Sequence, residues 1–537
     1  TVDVSEPVGE LKHFWGSTGF PPLPHTQAEH YDLSIDQRLN LAYVGSVPHG
    51  GLQQVRIHWM LELVSAKLGG EVHYNFTKLD QLIDLLWTNG LRPFELMGSV
   101  SNFFTDFEDK SQVVEWRNLI YQIAKRYIIY GLGVVSQWNF ETWNEPNNHD
   151  FDNVTVSIQF LNYYDACSEG LHAASPLLKF GGPGDSCHTS PHSPYCWAML
   201  QHCYNGTNFF TGEKGVRLDY IALHKKGGGY SLPILQQEIQ TVGEIHKRFP
   251  KFQSLPIYND EADPLVGWSR PQEWRADVTY AAMVVIKQHQ DLLLLNPNNT
   301  INYTLLSNDN AFLSYHPHQF TQRTLTARFQ VNNTQPPHVQ MIRKPVLTVM
   351  GLLALLDTEV LSQASPSSET LGVIASTHKP AVSWGSDSWQ TSVLVYNSDD
   401  NQTSTSADDV TVAIKSVPKL KLVYSTFYID NNSTNSYKLW QSMGSPDFPV
   451  NGLRFIGITT SQVLIVWSDH CVNSCIKTFE VEFSGDGSEF KRINVQDTIF
   501  TSYVNAPDQE VSGLYRVRAV DYWGRPGPYS LTEKYSE

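Results

Sequence analysis

A chain of 537 residues is too long for one ordinary core and points to about two to four domains. With 41% hydrophobic and 12% aromatic residues against 17% charged, it is globular and not disordered. A formal net charge of −16 gives no reason to expect nucleic acid or an anionic membrane as a partner, and the longest apolar run, 346–356, is well below the roughly 20 residues a bilayer needs and reads as a buried helix.

From about Leu39 to Leu356 apolar strands alternate with helical segments, which is the pattern of βα units on a parallel sheet. Eight strands are predicted, at 41–47, 55–59, 92–97, 134–143, 178–182, 218–224, 256–260 and 303–308. Eight such units close a barrel. The segments between them carry helical spacing, as in Leu79, Leu82, Ile83, Leu85 and Leu86, or Val113, Trp116, Leu119, Ile120 and Ile123. The predicted fold class is α/β, a (β/α)8 TIM barrel over 13–357, followed by a β-sandwich over 358–458 and a third, all-β domain over 459–537.

In such a barrel chemistry sits where strands end. Strand two delivers Arg56 and His58. Strand four runs through Trp138-Asn139-Phe140-Glu141-Thr142-Trp143 into Asn144-Glu145-Pro146, where Pro146 lacks an N–H, biases Glu145 toward extended geometry and should stop the pairing. Two indoles beside Glu145 would raise its pKa by desolvation, as a general acid requires. A plain turn would also explain Asn-Glu-Pro taken alone. Strand six ends in His224-Lys225-Lys226 and a run of three glycines. Strand seven ends in Asn259-Asp260-Glu261-Ala262-Asp263-Pro264, followed by Gly267 and Trp268, and strand eight supplies Asp309 and leads to Arg323. Each of these residues alone has an ordinary structural reading as a solvated cation, a packed indole or a capping carboxylate. Two carboxyls at two strand ends of one barrel are more specific, because glycoside hydrolysis uses one as acid/base and the other as nucleophile. The residues themselves do not say which of Asp260, Glu261 and Asp263 would attack. Lys226 and Arg323 could hold the carboxylate of a uronic acid, Arg in a bidentate fork.

The stretches Phe140–Pro146, Tyr258–Pro264 and Ser307-Asn308-Asp309-Asn310-Ala311-Phe312, with likeness over almost the whole chain, resemble the uronide-cleaving branch of glycoside hydrolase family 39, within the clan of retaining barrel glycosidases. The resemblance implies Glu145 as acid/base and Glu261 as nucleophile. It also implies Arg56, His58, Asn144, Lys226, Gly267, Trp268, Asp309 and Arg323 as pocket residues, with no metal and no organic cofactor. The implied activity is lysosomal: removal of terminal α-L-iduronic acid from glycosaminoglycans such as dermatan and heparan sulfate by double displacement. A neutral-sugar glycosidase of the β-xylosidase kind is the nearest alternative, and a glycan-binding module without catalysis a more distant one. With so acidic a chain, a polyanionic substrate must be gripped locally by a few pocket cations. The nineteen histidines would offset that acidity at about pH 5.

Beyond Asp357 short alternating strands are predicted at 370–375, 391–396, 410–414 and 421–428, a sandwich by spacing, and residues 1–12 join it as the resemblance implies. The last part, with Val463-Leu464-Ile465-Val466-Trp467, Phe479–Phe483 and Tyr515–Asp521, resembles a fibronectin type III module. Between about Val450 and Gly457 family members carry a longer connection with a Cys that would pair with one matching Cys475, so the partner of Cys475 is left open. Thr1 is read as a processed N-terminus of a secretory chain. N-x-Ser/Thr acceptors at Asn75, Asn153, Asn205, Asn298, Asn302, Asn332, Asn401, Asn431 and Asn432 support that reading. Six cysteines, Cys167, Cys187, Cys196, Cys203, Cys471 and Cys475, would then default to disulfides, with a zinc site around Cys187, His188, His192, Cys196, His202 and Cys203 as the lesser reading.

Overall fold

The computed structural model describes residues 1–20, 33–58, 60–67, 72–96, 104–129, 135–148, 158–265, 276–292, 301–314, 319–321, 323–331, 338–363, 370–378, 389–400, 409–419, 422–442, 451–468, 476–495, 498, 501–507, 511–521 and 526–536. They pack as two compact units, one of 1–313, 322–325 and 345–429, the other of 314–321, 326–344 and 430–537.

The first unit is centred on eight parallel strands, Ser17–Phe20, Gln54–Ile57, Arg92–Leu96, Asn139–Glu141, Lys179–Asp185, Tyr220–Leu223, Ile257–Asn259 and Tyr303–Leu306, hydrogen-bonded in that order. The ring closes where Ser17 bridges in parallel to Ser307 and the Leu306 N–H donates to Phe14 O at 2.8 Å. This is the (β/α)8 barrel. Its shell helices are set by their apolar stripes. Lys110–Ile128 is capped by Asp109, which accepts from Ser111 N at 2.8 Å, and buries Val113, Trp116, Ile120, Ile123 and Tyr127. Inside the barrel Tyr220 and Tyr258 stack with centroids 4.2 Å apart, and the Tyr220 hydroxyl donates to Phe140 O at 2.6 Å.

The predicted first strand at 41–47 is wrong. Those residues belong mostly to the helix Ile35–Gly45, which Ser34 caps and which buries Gln37, Asn40, Leu41 and Val44 at helical spacing. The β-branched and aromatic composition of 41–47 misled, while the true strand, Ser17–Phe20, has only one large apolar residue to mark it. Gly19 in that strand is required by a close approach, since a Cβ there would lie 1.8 Å from Asp309 Oδ1. The strand predicted over 134–143 is likewise shorter, Asn139–Glu141.

A buried ionic network ties the shell to the barrel. Lys287 on the helix Val278–Leu292 donates to Glu238 Oε1 at 3.0 Å on the helix Pro233–Arg248, and to Asp291 Oδ1 at 2.5 Å one turn along. The Tyr303 hydroxyl donates to Asp291 at 2.8 Å, and Asn259 Nδ2 to Glu238 at 2.5 Å. All five side chains are buried. Two carboxylates thus rest on one ammonium, and burial together with Glu238 pushes the Asp291 carboxyl well above its usual range. Lys287→Met strands both acids, so it should lower barrel stability by about 3–5 kcal/mol. Unchanged thermal unfolding of the variant would show that the Lys287 ammonium contributes no net stability to the barrel.

Outside the barrel sheet, five strands form a second sheet in the order Gln390–Asn397, Leu371–His378, Glu359–Gln363, Val2–Glu10 and Ile414–Lys415. The N-terminal strand pairs antiparallel with Glu359–Gln363 and parallel with Ile414–Lys415. The strand predicted at 421–428 is not formed. Its described part, from Leu422, lacks a ladder and leaves Val423 and Tyr424 exposed. In the second unit, sheets of three and four strands enclose Val463, Ile465, Trp467, Phe479, Val481, Tyr515 and Val517. The Tyr515 hydroxyl donates to Val511 O at 2.6 Å, a tyrosine corner of the kind found in fibronectin-like sandwiches. No described helix is long and apolar enough to cross a membrane.

Cys187 and Cys196 form a disulfide, which removes two ligands from the zinc reading; His202 bonds instead to Asp165 at 2.8 Å. Cys167 and Cys203, expected to be paired, are free thiols buried among aromatic rings, and burial pushes each up to about 12. Cys471 and Cys475 lie outside the described residues, as do the sequons at Asn153, Asn298, Asn332 and Asn401. Asn75, Asn205, Asn302 and Asn432 are exposed, and Asn431 is half-buried.

Candidate active site

The floor of the site is Arg56. Alternation along the second barrel strand sends Arg56 and then His58 toward the barrel axis. The Arg56 guanidinium is fully buried and spends all three nitrogens on neighbouring strand ends. Nη1 donates to Glu261 Oε1 at 2.7 Å; Nη2 donates to Glu141 Oε1 at 3.0 Å and Asn144 Oδ1 at 3.1 Å; Nε lies 3.1 Å from Asp260 Oδ2. Nη2 also meets His224 Nε2 at 3.1 Å. Since guanidinium can only donate, Nε2 accepts, which leaves Nδ1–H to donate to Glu145 Oε1 at 2.8 Å.

Above this floor Glu145 and Glu261 face each other across one cation. Lys226 Nζ lies 2.7 Å from Glu145 Oε1 and 2.5 Å from Glu261 Oε2. At least one oxygen of each carboxylate falls in a group of atoms all within 4.8 Å, together with a His224 nitrogen. That spacing is close to the roughly 5–5.5 Å of retaining pairs and shorter than the 6.5–9.5 Å, approximately, of inverting ones. Glu261 is further held by His58 Nε2 at 3.0 Å.

The backbone at Glu145 departs from expectation. Its φ is +45°, left-handed and not extended, despite Pro146. The turn is fixed by the Glu145 N–H donating to Gly184 O at 2.8 Å and the Asn148 N–H donating to Glu145 O at 2.9 Å. Strain of this kind collects at functional sites when surrounding bonds over-determine it. Gly184 has no room for a side chain, because a Cβ would come within 2.3 Å of Glu141 Oε1.

The predicted rise of the Glu145 pKa is also reversed. Trp138 packs on Tyr127 and Phe140, and Trp143 on Tyr163, so neither indole desolvates the carboxyl in the way expected. Burial and the Glu261 charge do push Glu145 up, but the hydrogen bond from His224 and the Lys226 ammonium outweigh them and hold it down to about 2. Burial opposes ionisation of Glu261 too, yet His224, Lys226, His58 and Arg56 keep its carboxyl well below the usual range.

Of the three acids after strand seven, only Glu261 shares the Lys226 ammonium with Glu145. Asp260 is buried beneath, and burial together with Glu141 pushes its carboxyl well above the usual range against the pull of Arg56. Asp263 accepts from the Tyr280 hydroxyl at 2.6 Å and is raised to about 6, chiefly by burial. Asp309 accepts from Arg323 Nη2 at 2.6 Å, and Arg323 lies over the Phe312 ring at 5.6 Å. Three fixed cations, Arg56, Lys226 and Arg323, therefore stand among six carboxyls, Glu141, Glu145, Asp260, Glu261, Asp263 and Asp309. The His and acid groups close enough to ligate a metal are already interleaved with these cations, whose charge opposes one.

Eight of the ten predicted catalytic and pocket residues are thus brought into one cluster; Gly267 and Trp268 lie outside the described residues. Glu141 was missed because it sits inside the strand, where a carboxyl reads as alternation. Asn259 was missed too. Its amide accepts from Lys225 N at 3.0 Å and donates to Lys225 O at 3.1 Å, so it fixes the backbone next to Lys226 while standing two residues before Glu261. Its position directly before the acidic strand end was the available signal.

The chain is similar to known proteins over its whole length. The profile of glycosyl hydrolases family 39 matches residues 1–454, and one described as the α-L-iduronidase C-terminal domain matches 451–537. The chain is 54% identical to the α-L-iduronidase of Mus musculus, over 98% of this chain and 95% of that protein, and 52% identical to that of Homo sapiens, over 100% and 93%. Among solved structures it is similar to a bacterial orthologue of the human α-L-iduronidase, with 25% identity, a TM-score of 0.66 and coverage of 100% and 99%. It shares its fold with a monomeric β-xylosidase from Caulobacter crescentus at 19% identity and a TM-score of 0.54, over 83% and 89% of the two chains.

Proposed function

Because this chain belongs to glycosyl hydrolases family 39, we propose that it is a retaining exo-glycosidase that removes terminal α-L-iduronic acid from glycosaminoglycans such as dermatan and heparan sulfate. The observation that carries the proposal is the pair of carboxylates, Glu145 and Glu261, sharing one ammonium within hydrogen-bond distance of both. In the first step a Glu261 oxygen bonds to the anomeric carbon as the glycosidic bond breaks, and Glu145 gives its proton to the departing oxygen. In the second, water loses a proton to Glu145 and attacks the anomeric carbon, releasing the Glu261 carboxylate and a sugar of unchanged anomeric configuration. Arg56 and His58 hold Glu261 in place for attack. Lysosomal residence fits the exposed sequons and the likeness to the mammalian relatives.

Lys226 and Arg323 supply the cations for the uronate carboxylate, and this is what separates the proposal from a neutral-sugar activity. The double variant Lys226→Met, Arg323→Met should lower kcat/KM on a fluorogenic α-L-iduronide by about 10²-fold or more. Its effect on the matching α-L-idoside, which has CH2OH in place of the carboxylate, should be much smaller. Equal losses on the two substrates would refute the carboxylate clamp. No hydrolysis of the iduronide by the native protein would refute the function itself.

A further inference from the structure

Three features outside the reaction scheme invite a role: the Lys287 network, Ser231, whose N–H and hydroxyl both donate to Asp400 Oδ2 at 2.7 Å, and the place of Lys226. The last goes furthest. Lys226 Nζ does not stand at the rim of the site, where a substrate clamp would be expected. It lies between Glu145 and Glu261, 2.7 Å and 2.5 Å from their oxygens. A glycosidic bond undergoing double displacement must occupy that same space, with its oxygen against one carboxylate and its anomeric carbon against the other.

From this overlap, and resting on the function proposed above, we infer that Lys226 is a displaceable counter-ion: a sugar carboxylate draws its ammonium out of the cleft, and Glu145 takes up a proton as the ammonium leaves. A uronide gives the ammonium a new anion to sit against. A neutral sugar of the same shape offers the ammonium no new anion, so the ammonium stays beside Glu145 and the carboxylate stays without a proton. Selectivity and acid catalysis then share one residue.

The neighbours of both groups make the exchange possible. Glu145 is faced by Lys226 and His224 from strand six, Glu261 from strand seven, Asp185 from strand five and Asn148, whose Nδ2 donates to Glu145 Oε2 at 2.8 Å. Only Lys226 carries a fixed positive charge in that set. Without it Glu145 keeps the hydrogen bonds from His224 and Asn148, while burial and the Glu261 charge, the two strongest influences on it, favour its neutral form. Lys226 is faced in turn by Asp309 and by Arg323, whose like charge already opposes it on the Arg323 side. An incoming carboxylate beside Arg323 turns that repulsion into a shared anion site.

The sign of the linkage follows. A ligand whose bound state holds one more proton than its parts binds more weakly as pH rises through the bound-state pKa. Calorimetric titration at about pH 5 in two buffers of different ionisation enthalpy, with the non-hydrolysable thioglycoside of α-L-iduronic acid as probe, should show about one proton taken up per sugar bound. The thio-α-L-idoside should show none, and so should the iduronide on Glu145→Gln. In Lys226→Met the uptake should also vanish, since no ammonium is left for the sugar to displace. Iduronide binding without proton uptake, or with uptake that survives in Glu145→Gln, would overturn the inference while leaving the hydrolase reading intact. Failure of the thio-iduronide to bind would instead remove the proposed function, and this inference with it.

Discussion

Replacing Glu261 by alanine is expected to leave a folded protein whose turnover of an aryl α-L-iduronide is lowered by about 10⁵-fold. Folding should survive for a reason visible in the charge arrangement. Arg56 keeps Glu141 and Asp260, and Lys226 keeps Glu145, so no buried cation is stranded when one of six carboxyls goes. The loss should be chemically reparable. Azide is small enough to enter the space of the missing side chain and form the bond to the anomeric carbon itself. Because it attacks from the side of Glu261, the product should be the β-azide, with inverted configuration, identifiable by proton NMR. Rescue that yields the α-azide, or turnover near the native rate in a pure preparation, would mean that Glu261 is not the attacking group. Glu145→Gln should behave differently. Its deficit should be about 10²–10⁴-fold on natural linkages, which need a proton on the leaving oxygen, and much less on aryl glycosides whose leaving group departs unaided.

The sequence disclosed this site unevenly, and the pattern has a physical cause. Residues after a strand end, such as Glu145, Lys226 and Glu261, were legible because the turn signals of Pro and Gly mark where a strand stops, and a polar side chain there has little structural reason to be acidic or basic. Arg56 and His58 were legible as strand-two residues, though not as the floor of the cluster. Glu141 was not, because a lone carboxyl within an alternating strand looks like its solvent face. The first barrel strand failed on composition: Ser17-Thr-Gly-Phe20 owes its place to Gly19 admitting Asp309, a contact 290 positions away that no local pattern encodes. The direction of the Glu145 shift failed for a similar reason. Neighbouring Trp138 and Trp143 in sequence pack into the shell, whereas the groups that govern the carboxyl, His224 and Lys226, come from another strand.

Arg56 should be the least replaceable residue of the cluster. Arg56→Met removes the guanidinium paired with Glu141 and Asp260, two carboxyls with no exposure to water. Stranding them should cost about 3–5 kcal/mol of stability, and the loss should depend on pH. Asp260, whose carboxyl burial and Glu141 already push well above the usual range, loses the opposing pull of Arg56 in the variant and rises further. A carboxyl with a raised folded pKa holds more protons folded than unfolded above about pH 4, and stability then falls as pH rises toward the folded value. The gap in thermal midpoint between native protein and variant should therefore be small at about pH 4 and widen toward about pH 7. Arg56→Lys should recover part of the stability, because the charge is kept, but little of the activity. An ammonium cannot serve Glu261, Glu141, Asn144 and Asp260 at once in the planar fork that a guanidinium presents. A deficit in Arg56→Met that stays the same across this range would mean that Arg56 supports the barrel by packing alone, and that Glu141 and Asp260 do not depend on its charge.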